Sequence, residues 1–291
     1  MLIQQIVGGL AIGSIYALVA IGYTLIWRAL GVLNFSQGDL LMLGAYIGYQ
    51  YSVLLDVNYL LAIVLTILTS ALVGIVYSGV LAPIRGRKGR TDNMVVTIGL
   101  STIIRNVCRI IWGAEPLAIP NMFEGQYFTV FGATISAVRI YISLISIVLV
   151  MILTTFFAKT RWGRALRAAA EDRDTARLMG ISARKCDTVT LMISSGLAGA
   201  AGILIAPLFY ITADLGSYYG QKAFLSSTIG GLGNLGGGLI GGYFLGIVEY
   251  LGAIYVSSGF KDIISFIVLI IVLIVLPNGF TNLFKSGKEK V

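Results

Sequence analysis

Two segments carry residue types and spacings that chemistry would need inside a membrane. The first is Asn34-Phe-Ser-Gln-Gly-Asp39, directly ahead of an apolar run. Ser36 stands three residues before Asp39, the spacing of an N-terminal capping box whose carboxylate complements the helix dipole. The other reading is a broken helix whose free backbone N–H groups meet a passing zwitterion. On that reading Asn34, Ser36, Gln37 and Gly38 border a translocation pathway with Ser227 and Asn234 of the Gly-rich stretch 223–236. Thr97, Ser101 and Thr102, and Ser194 and Ser195, add hydroxyls within apolar runs, where they either line such a path or bond neighbouring helices. Arg105, Arg109 and Glu249 also fall in or near apolar runs. Arg105 and Arg109 lie one helical turn apart, and an ion pair with Glu249 or a place at the outer interface is as well motivated as a transport role.

The second segment is 159–187, rich in alanine and alternating charge. Its composition predicts a helix stopped at Gly180. Leu166, Ala169, Ala176 and Met179 share one face, opposite Arg167, Arg173 and Asp174. A short amphipathic helix of this kind presents an apolar stripe to a partner protein or lies on anionic lipid.

Several chemistries are excluded from the outset. The 291 residues contain no His and two Cys, which leaves no metal cluster and no disulfide framework. A membrane-embedded enzyme would need a nucleophile with its base, and none is grouped here. An ion-coupled carrier needs acidic residues on its pathway, and Glu249 is the one good candidate. No phosphate loop occurs, since Gly287-Lys288 is followed by Glu289. The chain is therefore expected to hold no cofactor and to hydrolyse no ATP itself.

The elements that position these residues follow from hydropathy. The chain is 57% hydrophobic and 12% charged, with mean hydropathy +0.90. A soluble domain is about 25% charged. Apolar runs at about 2–26, 38–55, 58–82, 93–113, 138–158, 188–211, 237–257 and 262–282 are long enough to cross a bilayer at about 20 residues each. The reading is an all-α polytopic membrane protein, one domain over 1–291, with about eight transmembrane helices and a broken or re-entrant segment at 223–236. The N-terminal run has full length and no basic leader, so it is read as an uncleaved first helix.

The net charge of +8 does not form a nucleic-acid face. Apart from Arg105, Arg109, Arg139, Lys222 and Lys261, every basic residue falls at Arg28, Arg85–Arg90, Lys159–Lys185 or in the tail with Lys285, Lys288 and Lys290. These gaps are cytoplasmic by the positive-inside rule, and 114–137, with Glu115 and Glu124 and no Lys or Arg, lies outside. Gly9, Gly13 and Ala17, and again Gly238, Gly242 and Gly246, recur every fourth residue, the pattern of a close helix seam. Gly31, Asn34 and Gly38 recur as Gly231, Asn234 and Gly238, an internal echo at an offset of 200.

Taken together, these motifs carry a resemblance. The opening Gly8-Gly-Leu-Ala-Ile-Gly-Ser-Ile-Tyr-Ala, the run Gly31–Leu40, the run Arg167–Ile181, Gly230–Gly238 and Leu276-Pro-Asn-Gly279 resemble the shorter, H-type permease of branched-chain amino-acid importers of the ATP-binding-cassette class. The resemblance implies an inner-membrane subunit that pairs with a second, homologous permease, two cytoplasmic ATPases that bind the ATP, and a periplasmic solute-binding protein. It implies a coupling helix that meets the ATPase through Arg167, Glu171, Asp172, Ala176, Met179, Gly180 and Ile181. Permeases of the same superfamily for urea, amides or sugars remain the alternative.

Overall fold

In the computed structural model, residues 2–82, 90–120, 125–130 and 133–280 are described. The basic loop at 85–89, Glu124, Gly287 and the lysines of the tail lie outside them. Eleven α-helices follow one another among the described residues: α1 Leu2–Leu30, α2 Gln37–Tyr49, α3 Tyr59–Leu81, α4 Arg90–Trp112, α5 Ala137–Lys159, α6 Arg161–Glu171, α7 Arg173–Leu178, α8 Ala183–Ile205, α9 Leu215–Gly230, α10 Leu235–Tyr255 and α11 Lys261–Val275. The protein is a multi-pass integral membrane protein. Among the described residues seven helices have the length and apolarity to span: α1, α3, α4, α5, α8, α10, and α11 together with the 3-10 turn Ser258–Phe260 that leads into it.

Two shorter helices complete the bundle. α2 continues through a π turn at Gln50–Leu54, and α9 has 16 residues, about 24 Å. The 223–236 segment is therefore not a separate re-entrant piece. Its first half is the end of α9, residues 231–234 are a turn, and its last residues begin α10. The polar residues Ser217, Gln221 and Lys222 conceal the first turns of α9 from a hydropathy reading. Between α4 and α5 a small antiparallel hairpin pairs β1 (Tyr127–Val130) with β2 (Ala133–Ser136), Tyr127 opposite Ser136. No apolar alternation in the sequence had marked it.

α1 and α8 are almost wholly enclosed, whereas α4 and α11 lie on the outside of the bundle. Ile103, Ile110, Ile271 and Ile274 are exposed there, as side chains facing hydrocarbon should be. The two small-residue stripes face one another. A Cβ on Gly9 would come within 2.8 Å of Ile247 Cα, one on Gly13 within 2.9 Å of Tyr243 Cα, and one on Gly242 within 2.5 Å of Ala17 Cα. α1 and α10 thus touch backbone to backbone, the close packing that replaces the hydrophobic effect within lipid.

The echo at an offset of 200 has a structural counterpart. α1 and α9 both end at a glycine of positive φ, Gly31 at +69° and Gly231 at +94°. Each turn then supplies an asparagine that accepts a backbone N–H: Asn34 from Ser36 at 3.2 Å and Asn234 from Gly237 at 3.1 Å.

Candidate functional site

The break between α1 and α2 forms a buried polar junction. Asn34, Ser36, Gln37 and Thr97 are at most 1% exposed. Buried amides and hydroxyls in lipid must find partners, and these do. Asn34 Oδ1 accepts from Ser36 Oγ at 2.9 Å and from Tyr77 Oη at 2.5 Å, while Asn34 Nδ2 donates to Gln37 Oε1 at 3.3 Å. Gln37 Nε2 donates to the Ser194 carbonyl at 3.2 Å, and Ser194 Oγ donates back to Gln37 Oε1 at 3.1 Å. Phe35 N–H donates to Thr97 Oγ1 at 3.3 Å. Gly38 then lies against Gly216 and Gly220, so the N-terminal turns of α2 and α9 meet.

Two sequence expectations need correction here. Ser36 holds the N-cap position of α2, but its side chain makes no capping bond; its hydroxyl is taken by Asn34 and Tyr77. Arg105 and Arg109 do not pair with Glu249. Arg105 reaches Asp39 at 3.2 Å and donates to Ser217 Oγ at 2.5 Å. Arg109 reaches Asp214 at 3.6 Å. Arg105 meets Asp39 because the break at 31–36 sets Asp39 beside α4, with Ser101 also bonded to its carboxylate.

Glu249, fully buried, is held from four sides. Tyr16 Oη and Ser265 Oγ each donate to it at 3.0 Å. Lys261 Nζ lies 2.9 Å and Lys222 Nζ 3.4 Å away, and Lys222 also meets Asp262 at 2.7 Å. Lys222 is only 2% exposed. Sequence reasoning passed over it, because a lone lysine in a polar stretch reads as loop.

The remaining sequence-selected residues fall elsewhere. Ser227 bonds Thr24 of α1 at 3.0 Å. Asn234 borders a cavity of about 770 Å³ with Trp27, Arg28, Thr228, Gly231 and Asn278. The structure therefore gathers Asn34, Ser36, Gln37, Gly38 and Thr97, sets Ser101 beside them, and leaves Ser227 against Thr24 of α1 and Asn234 on the cavity beside Arg28.

At that basic end, 161–178 forms two helices rather than one. Thr160 caps α6, accepting from Gly163 N–H at 2.9 Å. Asp172 ends α6 and caps α7, accepting from the N–H groups of Asp174 at 2.9 Å and Thr175 at 3.1 Å. The Thr175 hydroxyl first, and then these amides, hold the Asp172 carboxyl below its ordinary value. Its capping contribution is thus complete above the usual carboxylate range and is lost only as pH falls through a still lower value. Gly180, at φ +78°, closes α7 with N–H bonds from Gly180 to Arg177 O and from Ile181 to Ala176 O, both 3.0 Å.

The apolar stripe of this segment turns inward. Leu166, Ala169 and Ala176 are 5%, 7% and 4% exposed, packed on the protein's own bundle. What projects instead is the end of α7, Leu178 at 88% and Met179 at 78% exposed. Arg167, Glu171 and Asp172 are also exposed. The corner is anchored by Arg173, which donates to the Ala29 carbonyl at the end of α1 and to Asp187 of α8 at 2.7 Å.

The comparisons with known proteins cover this whole arrangement. The family described as branched-chain amino acid transport system / permease component matches residues 5–273. The chain is 34% identical to a high-affinity branched-chain amino acid transport system permease protein, LivH, of Salmonella typhimurium, covering 95% of this chain and 94% of that protein. It is 33% identical to LivH of Escherichia coli and 32% identical to the corresponding permease protein BraD of Pseudomonas aeruginosa, over the same shares. No solved structure matches. With both breaks, the polar junction and the basic corner all inside the matched span, the chain belongs to the family of permease components of branched-chain amino acid transport systems.

Proposed function

We propose that this chain is a channel-forming permease subunit of an ATP-driven importer for branched-chain amino acids in the cytoplasmic membrane. It works beside a second homologous permease, two cytoplasmic ATPases and an external solute-binding protein. The observation that carries the reading is likeness over 95% of the chain to permeases of that transport class.

The structure supports a division of labour in which this subunit moves and others supply energy and selectivity. The ATPase meets the corner formed by Arg167, Glu171, Asp172, Met179, Gly180 and Ile181. Leu178 and Met179 are the apolar points that enter its cleft, and buried Ala176 holds the turn from behind. Because Arg173 joins α7 to α1 and α8, displacement of the corner is delivered to the two most enclosed helices. α1 leads directly into the junction of Asn34, Ser36, Gln37 and Gly38, which opens against Thr97 and Ser101 to pass the substrate; Ser227 and Asn234 border its exit. The junction offers hydroxyls and amides to a zwitterion without a deep well, consistent with selectivity residing in the binding protein. Glu249 lies between two lysines and so supplies no free acid for ion coupling.

The test is uptake of labelled leucine by proteoliposomes containing the chain with its partner subunits and ATP inside. Accumulation competed by isoleucine and valine, and none by the chain alone, is the expected result. Accumulation against a gradient by the isolated chain would reject the reading.

A further inference from the structure

The outward surface of α3, α5 and α8 carries a groove that neither the junction nor the corner uses. It encloses about 360 Å³ and is lined among others by Ala71, Phe156, Val189, Met192, Gly196 and Ala200. Its floor is made of small residues, and a Cβ on Gly196 would have nothing closer than Ile67 O at 3.5 Å. From Val189 to Ala200 it runs about 16 Å along α8. That is about half of a hydrocarbon core some 30 Å thick, the depth of one leaflet. The side chains lining it are apolar throughout, so an acyl chain enters it without loss of a hydrogen bond.

The groove opens toward the basic end. Lys159 lies one turn beyond Phe156 on α5, and Lys185 lies one turn before Val189 on α8; both are exposed. α6 folds back so that Gly163 packs on Phe156 and Phe157, and Arg164 Nη1 donates to the Lys159 carbonyl at 3.4 Å. The acid nearest in sequence to Lys185, Asp187, is turned inward, 6% exposed and paired with Arg173. The mouth therefore presents Lys159, Arg164 and Lys185, with Asp187 turned away from them, which is the chemistry that receives an anionic headgroup at the cytoplasmic surface.

We infer that this groove holds one acyl chain of an anionic phospholipid of the cytoplasmic leaflet, with its headgroup against Lys159, Arg164 and Lys185. Such a lipid would wedge α5 against α8 next to the α6–α7 corner and so stiffen the element through which force enters.

The experiment is native mass spectrometry of the purified transporter complex given phosphatidylglycerol or phosphatidylcholine with identical acyl chains. The wild type should retain phosphatidylglycerol about tenfold in preference. Gly196→Leu, and separately Ala71→Leu, fill the groove and should abolish retention of both lipids, with the thermal midpoint recorded to show that each variant is folded. The surface double variant K159Q/K185Q should bring the two lipids to parity. Absence of retained lipid in the wild type, or retention unchanged in both groove-filling variants, overturns the inference. So does efficient cross-linking of Gly196→Cys to the second permease, since protein would then cover the groove.

Discussion

Asp39 and Arg105 show how one residue acquires its role from a break elsewhere. Asp39 is 3% exposed at its side chain and Arg105 27%, and they meet at 3.2 Å. Removing one partner of a buried pair leaves the other unpaired, which costs about 3–5 kcal/mol in full burial. With Arg105 partly exposed, Asp39→Ala should destabilise the purified complex by about 2 kcal/mol, discounted from that range. The double variant Asp39→Ala/Arg105→Leu should regain part of it, because the cation left without Asp39 is gone, while its contacts to Ser217 and Asp214 go with it. Unfolding in detergent followed for both variants checks this, and additive losses would show that the pair is not a unit. Neither residue's partner was legible in the sequence. Arg105 seeks an acid in three dimensions, and the nearest candidates in the hydropathy map, such as Glu249, already serve Lys222 and Lys261.

The helices carry a different kind of information. The recurrence of Gly9, Gly13 and Ala17 with Gly238, Gly242 and Gly246 was visible as spacing, and the structure pairs the two stripes across α1 and α10. At this seam a methyl group has no room: on Gly246 it would collide with the backbone of Gly13. Gly246→Ala should therefore cost about 1–3 kcal/mol through overpacking, while Gly99→Ala, where a Cβ meets nothing within 4 Å, should be neutral or slightly stabilising. Thermal unfolding of the two variants side by side decides the point. α6 and α7 were less legible. Charge and alanine content predict a helix there, but the interruption at Asp172 and the inward turn of Leu166, Ala169 and Ala176 depend on packing beneath α1 and α8. The 3.6-residue pattern gives an apolar face; it does not say whether that face meets the protein itself or a partner.

At the scale of the molecule, the question is whether the corner at Gly180 transmits force. Gly180 adopts φ +78°, which a side chain resists, and the exposed Leu178 and Met179 precede it. Gly180→Asp and Leu178→Asp are both expected to insert in the membrane at wild-type levels yet lose ATPase attachment and at least tenfold of ATP-driven uptake. Copurification with the ATPases, scored with leucine uptake, measures both. Normal attachment and transport in both variants would remove the coupling role from this corner. Impermeant labelling of Arg164→Cys from the cytoplasmic side alone is the matching check on orientation.

Hydropathy and motif order determined by themselves that the chain crosses a membrane many times and which family it resembles, because the bilayer constrains length and polarity residue by residue. Only the tertiary structure decided that Lys222 neutralises Glu249, that Asp39 belongs to Arg105, that α9 begins at Leu215, and that the stripe of α6 and α7 is already occupied. Each of these turns on which helices become neighbours. In lipid that choice rests on backbone fit and on pairing of the few buried polar groups, neither of which one-dimensional spacing records.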